Sequence, residues 1–304
     1  MGRTRKSRKT QSTNTTKSPN HKYGLIPVNN LTYGNPDAQQ DLLVRKEHSF
    51  DYIANHYMDK PYPNNDGDYA KNELNQIKDE MSKLAHEKVV TMSVRFDEDL
   101  FGVCVETAEK CGVPNPQDFV ESVFKDINPI IMKLKFYYNR IRPFQLANVY
   151  GFQLNPMPTV SAQSPSYPSG HTIQSKVIAD ILSFRYPDKQ DMLMKFADKC
   201  SKSRIILGVH FPSDEIFGLQ ISAGITNDEN FISKYFTANK ISDVQTNNNQ
   251  GRQSHTTPEF RERPVRGGGP QMPDLSRAND VGAGDPSGVF GGIPVPGQGP
   301  IPGR

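Results

Sequence analysis

The chain has 304 residues, a formal net charge of +3 and an apolar fraction of 35%. That length admits one large domain or two small ones, and the apolar fraction is low for a chain that is globular from end to end. No stretch approaches the ~18 consecutive apolar residues of a membrane-spanning helix, so an integral helical membrane protein is not expected.

Taken in chain order, residues 1–22 carry seven Lys/Arg and no acidic residue, with almost nothing apolar. Such a segment buries too little apolar surface to offset its ordering entropy, and residues 1–23 are expected to be a disordered basic tail. No apolar run follows the basic start, so a secretory signal peptide is not expected. Lys6 stands where a myristoylation signal requires Ser or Thr. The arm reads first as a solubilising tail, and second as a weak contact for nucleic acid or another acidic surface through phosphate neutralisation. These features point to a cytoplasmic or particle-associated protein.

Helical periodicity begins at 68–88, where Leu74, Ile77, Met81, Leu84 and Ala85 recur at three- and four-residue intervals. A second helix is expected over 97–111, with an acidic first turn at Asp97, Glu98 and Asp99 and a stop at Gly112. A third spans 116–141, opening on Pro116 and carrying Phe119, Val120, Val123, Phe124, Ile127, Ile130, Ile131 and Leu134, with Pro129 expected to kink or split it. A Pro-rich loop then runs to about 168. Helices follow over 170–186 and 189–207, and the last starts with Ser213 as its N-cap. Strand alternation and internal repeats are absent from the pattern, so the fold class is all-α, with one domain over 24–238. Residues 239–304, rich in Gly and Pro, form a second expected disordered tail, suited to a flexible spacer. Cys104 and Cys111 share a helix face and read as small core residues; with Cys200 they make an odd set, and no disulfide framework is expected.

Three blocks within the predicted domain carry chemistry. Lys135 and Arg142, seven residues apart, are close to two helical turns apart and so project from one face, with Pro143 setting the helix end. Two such cations suit a dianion, Arg through paired donors and Lys as a point charge. Without the other blocks the pair would read as an ordinary solvated basic face, the role assigned to Lys133 and Arg140. The second block, Pro168-Ser169-Gly170-His171, opens a helix: Ser169 caps it, Gly170 allows close approach of a ligand, and free N–H groups at a helix start attract anions. The third block is Ser203-Arg204 with His210 and Asp214, where Pro212 implies that His210 leaves one element and Asp214 enters the next.

Written out, the blocks read K-x6-R-P, P-S-G-H and S-R-x5-H-x3-D. In that order they resemble the signature of the type 2 phosphatidic acid phosphatase superfamily, which includes class A acid phosphatases, membrane lipid phosphatases and vanadium haloperoxidases. The string PSYPSGHT is most similar to that of the soluble class A acid phosphatases. The resemblance implies a helical bundle in which His210 attacks phosphorus, Asp214 holds the other nitrogen of its ring, and His171 protonates the leaving alkoxide. Lys135, Arg142 and Arg204, with Ser169 and Gly170, would bind the phosphoryl group. It implies no metal and no cofactor, with vanadate as an inhibitor; the haloperoxidase alternative makes vanadate the cofactor. His21, His48, His56, His86 and His255 show no ligand spacing.

The first functional expectation is a soluble phosphomonoesterase acting on a small phosphorylated substrate. The alternatives are a vanadium haloperoxidase and a phosphate-binding tethering protein. Selectivity is expected in the loop 144–167 and in helices before Lys135. Phe144, Tyr150, Phe152 and Tyr167 are read as loop packing in preference to a leaving-group pocket. A neutral His210 and a protonated His171 predict a bell-shaped pH dependence, with the direction of the His210 shift open. The oligomeric state is not legible.

Overall fold

The computed structural model describes residues 27–236. Both expected tails, and with them the proposed contact of the basic arm, lie outside the described residues. After a short 3-10 turn at Val28–Asn30, α1 (Ala38–Arg45) opens on a capping box. Asp37 accepts from the N–H groups of Gln39 and Gln40, and the Gln40 side chain accepts from the Asp37 N–H. Helix α2 (Asp51–Met58) follows, then α3 (Gly67–Met81), capped by Asp66 and burying Ala70, Glu73, Leu74 and Ile77 in the i, i+3, i+4, i+7 pattern of one helix face. A 3-10 turn at Ser82–Ala85 separates it from α4 (Glu87–Glu98).

Helix α5 (Leu100–Cys111) is capped by Asp99, whose carboxylate accepts from the Gly102 N–H, and ends at Gly112 in the left-handed region at φ +82°. The expected stop is therefore right and the expected start is not. Asp97 closes α4 and is drawn inward, away from the acidic first turn assigned to it. Helix α6 (Pro116–Tyr138) passes Pro129 without splitting, because three turns of buried Phe, Val, Ile and Leu hold both sides of it against the core.

The expected helix over 116–141 ends three residues early. Asn139 adopts φ +49°, terminates α6 and turns the chain, and Arg142 becomes the N-cap of α7 (Pro143–Val149). Lys135 and Arg142 thus do not share a helix face; they meet across a turn. Helix α7 also occupies part of the expected loop. Helices α8 (Gly170–Arg185) and α9 (Gln190–Ile206), joined through the 3-10 turn Pro187–Lys189, match expectation within a residue or two. Helix α10 (Pro212–Thr226) begins at Pro212 with Phe211 at the cap, so Ser213 is its second residue and not its cap. Helix α11 (Glu229–Tyr235) completes the described residues, in which the only β feature is one isolated bridge, Thr32 to Arg140. The fold is all-α.

Helix α8 is the hub. Its buried residues, among them Ile173, Val177, Ile178, Ile181 and Leu182, cover most of its circumference, as in a helix enclosed by others. It packs on α9, α10, α6 and α5, while α6 also carries α1 and α2. The α8–α10 crossing is close because Gly218 faces the start of α8: a Cβ there would lie 3.1 Å from the Ser169 carbonyl oxygen and 3.1 Å from Thr172 Cβ. Cys104, Cys111 and Cys200 are buried and unpaired. Among the described residues no helix is long and apolar enough to cross a membrane.

Candidate active site

Four chain segments end at one cleft of about 260 Å³. The last turn of α6 brings Lys135, the start of α7 brings Arg142, the first turn of α8 brings Gly170 and His171, and the end of α9 with the following turn brings Arg204 and His210. Three cations and two imidazoles therefore line a single small space. Ser169 and Asp214 sit behind that lining.

The His210 ring is held at both nitrogens. Nδ1 lies 3.0 Å from Asp214 Oδ2, and Nε2 lies 3.1 Å from Arg142 Nη1. A guanidinium only donates, so Nε2 is the acceptor and Nδ1 carries the hydrogen towards the carboxylate. That tautomer turns the lone pair of Nε2 to the cleft. His171 is fixed in the opposite sense. Its Nε2 lies 3.0 Å from the Phe96 carbonyl oxygen, which only accepts, so Nε2–H is spent there and Nδ1 is the nitrogen left to exchange a proton.

Burial drives both imidazoles well below the ordinary histidine pKa. For His210 the cations Arg142, Lys135 and Arg204 add to that effect; for His171, Arg204, His210 and Lys135 do. Burial likewise lowers Lys135, with Arg142 pushing the same way, and brings Arg142 down to about 10. A dianion entering the cleft would relieve all of these groups together.

The clamp is held from behind by the backbone. Lys135 Nζ donates to the Pro165 carbonyl at 2.5 Å. Arg142 donates to the carbonyls of Ser164 and Val209, each at 2.8 Å. Arg204 Nη1 donates to Asp97 Oδ1 at 2.9 Å and Nη2 to Ser161 Oγ at 2.9 Å, leaving its buried Nε without a partner among the described residues. Asp97 is further held by the Val160 N–H and the Ser161 hydroxyl, each at 2.6 Å. Burial opposes its charge, but those bonds and Arg204 outweigh it and keep its pKa low.

Ser169 serves the helix start. Its Oγ accepts from the Thr172 hydroxyl at 2.9 Å and its N–H donates to the Asp214 carbonyl at 3.0 Å, which ties the second block directly to the third. Gly170 leaves the approach open: a Cβ there would meet Ile131 Cγ2 at 3.3 Å and Lys135 Cε at 3.6 Å.

Two assignments need correction. Arg140, expected on a solvated face, is fully buried and donates to Asp214 Oδ1 at 2.7 Å, Ser213 Oγ at 2.7 Å and Glu73 Oε2 at 2.9 Å. Lys133 is also largely enclosed and pairs with Asp51 of α2. Of the four aromatic residues in the loop, none lines the cleft: Tyr167 stacks on Phe217 with centroids 4.5 Å apart, and Tyr150 donates to the Asn65 carbonyl at 2.9 Å. The packing reading holds for these two. The rest of the cleft lining includes Leu43, Asn128, Ile131, Met132 and Gln174.

The comparisons with known proteins fall on this same region. The family model of the PAP2 superfamily matches residues 124–237, a span that contains every residue of the three blocks. Residues 124–237 belong to the PAP2 superfamily. Among curated proteins, a non-specific acid phosphatase of Salmonella typhi is 36% identical over 89 residues, covering 29% of this chain and 35% of its own length. A non-specific acid phosphatase of Providencia stuartii is 38% identical over 77 residues, covering 25% and 31% respectively. The match thus takes in about a third of the length of these relatives. A transmembrane PAP2-type phosphatidylglycerolphosphate phosphatase from Bacillus subtilis aligns at 20% identity and a TM-score of 0.38, over 58% of this chain and 86% of its own. Two acids that brace the site, Glu73 and Asp97, lie ahead of the PAP2 segment; the sequence offered Asp97 only as part of an acidic first turn and did not mark Glu73. The nearest signal was Glu73 on the buried face of α3, where an acid breaks the apolar pattern.

Proposed function

We propose that the protein hydrolyses small phosphate monoesters through a covalent phosphohistidine on His210. The observation that carries this reading is the His210 ring, held with Nδ1–H on Asp214 and Nε2 facing three buried cations. In the free site Arg142 Nη1 occupies the Nε2 lone pair; a phosphoryl oxygen takes over that donor and frees the lone pair to attack. The Nε2–P bond forms as the P–O bond to the leaving group breaks, and His171 Nδ1–H passes its proton to the departing alkoxide. Lys135, Arg142, Arg204 and the free amides at the start of α8 neutralise the phosphoryl oxygens, which is most of what such a transfer requires. Water then attacks phosphorus, His171 Nδ1 takes its proton, the P–N bond breaks and phosphate leaves. A leaving group would be received against Leu43, Ile131, Met132 and the amides of Asn128 and Gln174.

The test is hydrolysis of an aryl phosphate and an alkyl phosphate by the purified protein, with vanadate titrated in. Wild type should turn over both, and vanadate should block both. His210→Ala should lose about a thousandfold or more on either substrate. His171→Ala should lose about 10²–10⁴-fold on the alkyl ester and far less on an aryl ester whose leaving group needs no proton. Equal losses on the two esters would remove His171 from the acid role, and an active His210→Ala protein would sink the phosphohistidine.

A further inference from the structure

Behind His210 a chain of buried charges runs from Asp214 to two residues outside the three blocks, Arg140 and Glu73. Asp214 is fully buried, and its carboxylate accepts from three groups: Oδ2 from His210 Nδ1 and the Phe211 N–H at 2.8 Å, Oδ1 from Arg140. Arg140 in turn reaches Glu73 of α3 through Nη2, and its guanidinium lies 3.8 Å from the centroid of the Phe211 ring, the residue after His210. Glu73, itself buried, uses its other oxygen to accept from the Ser213 N–H at 2.7 Å, at the start of the helix that carries Asp214. A carboxylate with a cation on one side would be a poor partner for an imidazolium on the other. The second acid corrects that: Glu73, Arg140 and Asp214 together carry one net negative charge.

Resting on the phosphatase reading, we propose that Glu73 and Arg140 are positioning residues for the nucleophile: acting through Asp214, they orient the His210 ring and leave the single negative charge that stabilises it when it takes phosphorus. Arg140 supplies direction, because its fork spans Glu73, Ser213 and Asp214 and leaves the carboxylate of Asp214 no freedom to turn. Glu73 supplies the charge balance and pins the first turn of α10. The other charged or titratable groups facing His210 come from α6 (Lys135), the start of α7 (Arg142), α8 (His171) and α9 (Arg204, paired with Asp97 of α4). All of these except Asp97 disfavour an imidazolium, so the acids behind the ring are the counterweight.

The experiment measures the His210 ring pKa by nitrogen NMR, together with kcat and KM, in four proteins. In Glu73→Gln the network becomes neutral; the His210 pKa should fall by about 0.5 unit or more, and kcat should drop about 10–100-fold with KM nearly unchanged. Arg140→Lys keeps the charge and loses the fork, so the pKa should stay and kcat should fall. The double variant Glu73→Gln/Arg140→Met restores one net negative charge without the fork: the pKa should return towards wild type while kcat remains low. A folded Glu73→Gln protein with wild-type pKa and kcat overturns the proposal, as does a loss confined to thermal stability. If Glu73→Gln does not fold, a wild-type kcat in Arg140→Lys overturns it equally. The NMR titration needs no substrate, so an inert wild-type protein would defeat the phosphatase reading while this electrostatic coupling is still decided.

Discussion

The proposed mechanism asks His210 and His171 for opposite protonation states, yet the same surroundings act on both. In that mechanism His210 is neutral when it attacks, and burial with Arg142, Lys135 and Arg204 around it carries its pKa well below the ordinary 6.5. The acid limb of kcat/KM therefore lies well under that value. As the proposed acid His171 holds a proton, and burial with Arg204, His210 and Lys135 lowers it too, so the alkaline limb is displaced in the same direction. The optimum of kcat/KM, which reports the free enzyme, is expected on the acid side of 6.5. In the complex the phosphoryl dianion offsets the cations and raises both histidines, so the kcat profile should sit alkaline of the kcat/KM profile. Measuring both against pH on an aryl phosphate checks this; a kcat/KM optimum above pH 7 would contradict it. The sequence left the direction of the His210 shift open because it shows charges and not burial. Arg140 was misread for the same reason. Nothing in the run Asn139-Arg140-Ile141 marks the middle side chain as the one turned inward, since the left-handed Asn139 that turns it there has no signature beyond being Asn.

At the scale of elements, the proposed catalysis would depend on how closely α10 crosses the start of α8. Gly218 sets that distance, because a methyl group there would press on the Ser169 carbonyl, which is backbone and cannot swing away. Ser169 N–H is bonded to the Asp214 carbonyl at the same crossing. Spreading the helices by a few tenths of an ångström would therefore move His171 and the α8 amides relative to His210. Gly218→Ala is expected to cost about 1–3 kcal/mol, to lower the melting temperature, and to reduce kcat more than KM. Calorimetry beside steady-state kinetics checks this, and a variant with wild-type kcat would show that the crossing has slack. The long helices were legible because their apolar residues recur every three or four positions: α3, α6, α8 and α9 are all of this kind. Helices α1, α2 and α11 are only seven or eight residues long and bury two residues or none, too few for a period to show. Helix α7 was hidden by the prolines around it, although Pro143 at its first position favours a start.

The molecule as a whole buries an unusual number of charged groups around one cleft, and its stability should depend on pH accordingly. His210 and His171 have folded pKa values below their unfolded value of about 6.5, so between those limits the unfolded chain binds more protons. Stability is thus fully present above about pH 6.5 and declines as pH falls from there through the folded pKa values. Asp97, lowered in the folded state by its bonds to Ser161, Val160 and Arg204, adds a further loss only below its unfolded value of about 3.9. The histidine window comes first on acidification, and it overlaps the pH range in which the site is expected to work best. A bound anion reconciles the two, since it compensates the cations that depress the histidines; at a hundred times its dissociation constant it would also add about 2.7 kcal/mol by mass action. The melting temperature should therefore fall between pH 7 and 5 in the free protein and fall less with saturating inorganic phosphate. His171→Asn should flatten the slope of the free protein, because the asparagine does not titrate. A melting temperature independent of pH across that window, with phosphate giving no protection, would mean that these histidines are not buried beside uncompensated cations as the structure has them.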